Sequence, residues 1–282
     1  MMPWWNKPMD DYFYILNQDY FRKLGRIKSV LFDFDGTLSL LREGWEEIMT
    51  PMMLEMICPG KEPPAAIEQE IREYIDQSTG ILTIRQMEWL AMAVQRHGLS
   101  TDVKSAAEYK RIYVERIRQK VEIRVALLKK GRVTLGELVV PGSFEFISWL
   151  SERGYRLYLA SGTDHEDVLR ESGILGLDLY FSPHIYGALD ESEANDKEKL
   201  VRRILIENHL QGDELLVVGD GPVEIRVAAA NGAFALGVAT DEVNRRGWNL
   251  RKMARIEKAG ADLLVPDFSN LEMLVKLLDL RG

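Results

Sequence analysis

Five short apolar runs, at residues 29–32, 156–160, 179–181, 215–218 and 233–238, alternate with stretches of helical signal, and this limits the folds open to the chain more than any other feature. Each run is too short for a helix and is bounded by turn residues, so each reads as a buried strand. A sixth candidate lies at 262–265. The segments between carry helix signals, such as 144–153 stopped by Gly154, and 197–208. Strand followed by helix, repeated, predicts parallel βαβ units and an α/β fold with a doubly wound parallel sheet.

The alternation breaks between about residues 40 and 131, where no strand is evident. Trp45, Ile48, Met49, Met52, Met53, Met56 and Ile57 share one helical face, with Pro51 expected to kink or restart the helix. Thr83 and Gln86 have the spacing of a capping box ahead of Ile84, Met87, Leu90, Ala91 and Val94. A long charged helix is expected over 101–130, stopped by Gly131. The Met-rich face suits the core of this insertion, because Met fills irregular space. The basic residues Arg116, Arg118, Lys120, Arg124, Lys129 and Lys130 read as a solvated face. Three parts are therefore expected: an N-terminal segment 1–26, a core domain of 27–39 and 132–282, and a helical domain of 40–131.

The chain of 282 residues suits one large domain with a smaller companion. A formal net charge of −8 argues against a nucleic-acid surface, and requires local positive groups to hold any anionic substrate. The single cysteine, Cys58, cannot form an internal disulfide and reads as a core residue. Trp4, Trp5, Tyr12, Phe13, Tyr14 and Phe21 are mixed with acids, unlike a signal peptide, and suit packing on the domain or on another subunit. No run reaches the roughly 20 apolar residues of a membrane span. A cytoplasmic protein with no membrane or nucleic-acid partner is expected, with a homo-oligomer left open.

The chemistry concentrates in Phe32-Asp33-Phe34-Asp35-Gly36-Thr37-Leu38, where the first strand gives way to a turn. Period-two geometry points Asp33 and Asp35 to one side of the strand's carboxyl end, where open α/β sheets bind ligands. Ser161-Gly162-Thr163-Asp164 follows the second strand, with a hydroxyl and a helix start suited to an anion. Leu215 to Val218 leads into Gly219-Asp220-Gly221-Pro222-Val223-Glu224, with Asp220 at the strand end and Pro222 suited to a first helical turn. Asp33, Asp35 and Asp220 together form an oxygen-rich set of the kind Mg²⁺ prefers. Like charges about 4 Å apart repel by about 4 kcal/mol at an effective dielectric of 20, so such a set needs compensating cations.

These motifs resemble those of the haloacid dehalogenase-like (HAD) hydrolase superfamily, in its phosphatase branch with a helical C1-type cap. Asp33, Asp35, Gly36 and Thr37 match its first motif, DxDG[TV], and Ser161 its second. Asp220 matches the fourth, GDxxxD, in which Glu224 stands where Asp is usual. Lys197 is favoured over Lys199 for the third by its separation from Asp220. The resemblance implies a Rossmann-like core, Asp33 as a nucleophile that becomes phosphorylated, Asp35 as general acid/base, and Ser161 and Lys197 on the phosphoryl group. It implies Mg²⁺ at Asp33, Asp35, Asp220 and Glu224, the last free to reach the metal, a metal-bound water, or Lys197. Gly36, Thr37, Gly162, Thr163 and Arg42 are candidate substrate contacts, with Glu43, Lys130 and Arg132 further out. The stretch Glu242, Arg245, Arg246, Trp248 and Asn249 either lines the rim or continues into a solvated helix.

The implied activity is Mg²⁺-dependent hydrolysis of a small phosphorylated metabolite, such as a sugar or polyol phosphate. Asp35 argues against dehalogenation, and Phe34 stands where P-type ATPases carry Lys. A phosphomutase is the alternative, phosphonate cleavage a third, and a catalytically silent ligand-binding or scaffold protein a reading from another class.

Overall fold

The computed structural model describes residues 12–17, 20–188 and 197–280. Trp4 and Trp5 lie outside the described residues. Seven strands form one sheet, β1 (Tyr14–Ile15), β2 (Ser29–Asp33), β3 (Arg156–Asp164), β4 (Ile185–Ala188), β5 (Leu215–Gly219), β6 (Phe234–Val238) and β7 (Leu263–Val265), in the order β1-β7-β6-β5-β2-β3-β4. All neighbours are parallel except β1 against β7. The fold is the expected α/β, doubly wound parallel sheet.

Alternation along the strands feeds two cores, one on each face. Val30, Phe32, Leu157, Leu159, Leu216 and Val218 belong to one cluster; Leu31, Tyr158, Ala160, Leu215 and Val217 belong to the other. Helices α6 (Ser143–Glu152), α7 (His165–Leu175), α8 (Asp178–Phe181), α9 (Lys197–Glu207), α10 (Pro222–Ala230), α11 (Leu250–Ala259) and α12 (Leu271–Leu277) cover the faces, with a short α1 (Tyr20–Lys23) before β2. Phe32 meets Phe146, Phe181 and Phe268 edge-on at 5.8–6.3 Å between ring centres. Part of the aromatic N-terminal stretch packs on this sheet: Tyr14 and Tyr20 are buried, and the Tyr12 hydroxyl donates to the Asp267 carbonyl at 2.6 Å, whereas Phe21 is exposed.

One predicted strand is wrong. Residues 179–181 lie in α8, which the Asp178 carbonyl closes by accepting from Ser182 N–H; the strand is β4, a few residues on, beyond Pro183. A short apolar run carries no period, so helix and strand look alike there.

Between β2 and β3 lie α2 (Glu46–Ile57), α3 (Ala65–Ser78), α4 (Thr83–His97) and α5 (Ala106–Lys129), gathered around their own apolar cluster. Met49, Met52, Met53, Ile57 and Cys58 are buried in it. Helix α2 runs through Pro51 without restarting. The expected box at Thr83 and Gln86 is not made, because Thr83 is already in the helix; the Gln86 amide instead donates to Ser78 Oγ at 3.2 Å. A box does start α5, at Ser105 and Glu108. Nor is the basic face of α5 simply solvated. Arg124 donates to the carbonyls of Leu40, Leu41 and Glu43, and Arg118 to Asp167 at 3.1 Å, tying α5 to the chain that leaves β2 and to α7.

Candidate active site

From β2 the chain builds both flanks of the sheet, β3 and β4 on one side and β5 to β7 on the other. The strand order therefore reverses at β2, and its carboxyl end opens into the crevice where such sheets bind ligands. Asp33, the last residue of β2, sits there and is buried. Gly36, at φ +76°, turns the chain, and the Gly36 N–H donates to the Ser39 carbonyl at 2.9 Å. Thr37 is fully buried behind the turn, with its hydroxyl 3.5 Å from Asp33 Oδ2 and 3.4 Å from Asp220 Oδ1.

Asp35 lies past the end of the strand, in the turn, and reaches the second motif. Its Oδ2 accepts from Ser161 Oγ and Thr163 Oγ1, each at 3.0 Å. Its Oδ1 is buried without a hydrogen-bond donor and lies 3.8 Å from Arg42 Nε. The helix expected after Ser161-Gly162-Thr163-Asp164 is present as α7, but the strand before it runs further than its apolar run suggested. Strand β3 continues to Asp164 through a register shift against β4, and α7 begins only at His165. The Thr163 N–H consequently donates to Ser161 Oγ, at 3.1 Å.

Lys197, at the start of α9, closes the third side. Its Nζ is 2.5 Å from Asp33 Oδ1 and 3.0 Å from Glu224 Oε2. Lys199 is exposed one turn face away. Glu224 folds back over Gly219, where a Cβ would lie 2.1 Å from its Cγ, and its Oε1 accepts from Gly221 N–H at 2.6 Å. Of the three options its sequence left open, holding Lys197 is the contact observed.

Oxygens of Asp33, Asp220 and Glu224 lie within 4.8 Å of one another, all three residues buried. Burial pushes the Asp33 carboxyl well above its ordinary range, and Glu224 and Asp220 add to the push against the pull of Lys197. Burial also works against the Lys197 charge, but Asp33 and Glu224 outweigh it and hold the ammonium protonated. A carboxylate driven up by burial and, secondarily, by anionic neighbours, in an all-oxygen set, is what a hard divalent cation relieves. The donor set fits such an ion. The Asp35 carboxylate lies outside this cluster.

A cavity of about 70 Å³ opens over Asp33, Asp35, Ser161, Gly162, Thr163 and Asp220. Its roof is Trp45, Thr79, Gly80, Ile81, Thr83, Gln86 and Tyr113, from the helices between β2 and β3 and the turns that flank them. Gly162 admits this roof: a Cβ there would lie 2.3 Å from the Ile81 carbonyl oxygen. Arg42 also lines the cavity, but it is committed to Glu171 through Nε at 2.9 Å and Nη2 at 2.7 Å. Gly36 and Thr37 stand behind the acids and do not line the cavity. Lys130 and Arg132 are exposed, and Glu43 pairs with Arg124. Arg245 is half-exposed and pairs with Glu137, Trp248 packs on Tyr14, and Asn249 caps α11.

Sequence reasoning missed Lys252 and Arg255 on α11. Lys252 Nζ is 2.7 Å from Asp220 Oδ2 and 2.5 Å from Glu242 Oε1, and Arg255 Nη2 is 3.7 Å from Asp220 Oδ2. Burial raises the Asp220 carboxyl, but Lys252 and Arg255 outweigh it and hold it below the ordinary range. Nothing in the sequence marks these two among the neighbouring Arg251 and Lys258.

The model of the haloacid dehalogenase-like hydrolase family matches residues 27–232. A 5'-nucleotidase of Pseudomonas aeruginosa is 28% identical over 218 residues, covering 76% of this chain and 83% of that protein. A β-phosphoglucomutase structure from Clostridium difficile is similar with a TM-score of 0.58 at 13% identity, over 90% of this chain and 97% of that one. A haloacid dehalogenase-like family hydrolase from Streptococcus pneumoniae has a TM-score of 0.57 at 19% identity, over 89% and 98%. The two structures share the fold; the family match spans the strands that carry Asp33, Ser161 and Asp220 and the helix that carries Lys197. This chain belongs to the haloacid dehalogenase-like hydrolases.

Proposed function

We propose that the protein is a Mg²⁺-dependent phosphatase that hydrolyses a small phosphorylated metabolite through an aspartyl-phosphate on Asp33. The observation that carries this reading is the convergence of Asp33, Asp220 and Glu224 with Lys197 at the carboxyl end of β2. Asp33, Asp220 and Glu224 would hold Mg²⁺, which, when bound, neutralises carboxylate and phosphoryl charge.

An Asp33 carboxylate oxygen attacks phosphorus, and the bond from phosphorus to the leaving oxygen breaks. Asp35 gives that oxygen a proton, releasing an alcohol; Oδ1, bare of donors, is the oxygen free to carry it. Asp35 then takes a proton from water as the water attacks phosphorus, and the bond from Asp33 to phosphorus breaks to free phosphate. Ser161 and Lys197 bind the phosphoryl oxygens, with Thr163 holding Asp35 in place. Residues 40–131 serve as a cap over a core of 27–39 and 132–282, excluding water and choosing the leaving group.

The roof residues support a neutral, hydroxylated leaving group, such as a sugar or polyol. Apart from Lys197, which faces Asp33, the one cation among the described residues lining the cavity is Arg42, and Glu171 and Asp167 neutralise it. A second phosphate, which a phosphomutase must rebind, would meet no further cation among the described residues lining this cavity. No helix among the described residues is long and apolar enough to cross a membrane, and a cytoplasmic enzyme is the location we propose.

The test is phosphate release with Mg²⁺ from an aryl phosphate and from a panel of sugar, polyol and nucleoside monophosphates. Release is expected, strongest from a neutral sugar or polyol ester, and Asp33→Asn is expected to abolish it. A folded, Mg²⁺-loaded protein silent across the panel would leave the scaffold reading. Phosphate moved between positions of one sugar would make it a mutase.

A further inference from the structure

Lys252 and Glu242 adjoin the site without a part in the chemistry above. Lys252, in the first turn of α11, is 5% exposed, and besides Asp220 and Glu242 its Nζ meets the Gly36 carbonyl at 3.4 Å. The Asp220 carboxylate is thereby divided. Its Oδ2 belongs to Lys252, with Arg255 further off, while its Oδ1 lies by Thr37, whose hydroxyl also reaches Asp33. Gly36 makes room for the cluster, since a Cβ there would lie 2.5 Å from Asp220 Oδ2 and 3.1 Å from Glu242 Oε1. A lysine this deep is costly unless carboxylates meet it, and two do.

We propose that Lys252, pinned by Glu242, is a positioning residue and the fixed internal counter-ion of Asp220. It turns Oδ1 toward Asp33 and keeps the acidic cluster assembled before a metal arrives. The proposal rests on the Mg²⁺ reading. Its consequence follows from Coulomb's law: a buried ammonium one carboxylate away from a divalent ion opposes that ion, and Glu242 is the counterweight that limits the opposition. The pair therefore sets Mg²⁺ affinity, as groups behind metal ligands do.

The experiment is a calorimetric titration of Mg²⁺ into the chelator-stripped full-length protein, with melting temperatures taken with and without Mg²⁺. Lys252→Met removes the opposing charge, leaving Glu242 without its ammonium partner and Asp220 with only the more distant Arg255. It is expected to bind Mg²⁺ about tenfold more tightly, to melt lower than wild type in chelator, and to recover more on adding Mg²⁺. Glu242→Gln removes the counterweight and is expected to bind Mg²⁺ about tenfold more weakly. A packing role would lower both melting temperatures without moving the affinities in opposite directions. Equal affinities, or shifts of the same sign, overturn the proposal. Should Lys252→Met not fold, unchanged affinity in Glu242→Gln alone overturns it. A wild type that takes up no Mg²⁺ overturns the metal reading itself, whereas a binding wild type with insensitive variants overturns only the role of Lys252.

Discussion

Asp33 and Asp220 are two buried carboxylates of one cluster with opposite electrostatics, and the difference lies in their neighbours. Asp220 has Lys252 and Arg255 beside it, while Asp33 shares Lys197 with Glu224. The Asp33 carboxyl, raised in the fold, contributes stability below the ordinary carboxylate range that is lost as pH rises through its folded value. Asp220, held low, contributes stability above that range that is lost as pH falls through its lowered value. Because a metal needs Asp33 ionised, Mg²⁺ affinity is expected to rise with pH until Asp33 is fully ionised, with proton release on binding. Calorimetry in buffers of different ionisation enthalpy measures that release, and its absence across the acidic range would contradict the reading. Asp35 stands apart from the cluster. Asp35→Asn is expected to slow turnover by about 10²- to 10⁴-fold while leaving Mg²⁺ affinity nearly unchanged, and an unchanged rate would remove its acid/base role.

Elements position these residues through the sheet. Strand β2 is clamped between β3 and β5 and carries Phe32 into the aromatic cluster one residue before Asp33. Phe32→Ala is expected to cost about 3–5 kcal/mol by chemical denaturation, because a fully buried ring leaves a cavity in a packed core. A loss under about 1 kcal/mol would mean the strand is not anchored there. The strands that carry the site were legible because Ser29 to Phe32 runs into Asp33, and Leu215 to Val218 into Gly219 and Asp220. Residues 179–181 were not, since three apolar residues fit α8 as well as a strand. Helix α3 carries its signal in Ile67, Ile71 and Ile75, spaced one turn apart with polar residues between, whereas two-residue β1 is recruited only by pairing with β7.

At the scale of the whole molecule, the roof and floor of the site come from different segments of the chain. Arg251 and Arg255 of α11 reach Asp76 and Glu46 of the inserted helices, and Arg255 also meets Thr79 and Asp220, so one helix touches both the roof and the acidic cluster. Such long-range pairs leave no local mark, whereas Asp33, Asp35, Ser161 and Asp220 are marked by strand ends and turns within a few residues. That is why the catalytic candidates could be read from the sequence, while Lys252, Tyr113 and the place of Gln86 in the roof could not. The central claim concerns a covalent bond to one of the marked residues. Its most direct measurement is rapid quench of the Mg²⁺-loaded enzyme with a turned-over phosphomonoester, borohydride reduction, and peptide mass analysis. The account predicts homoserine at residue 33, the reduction product of an aspartyl-phosphate, and none in Asp33→Asn. Continued phosphate release by Asp33→Asn with residue 33 unmodified in the wild type would contradict it.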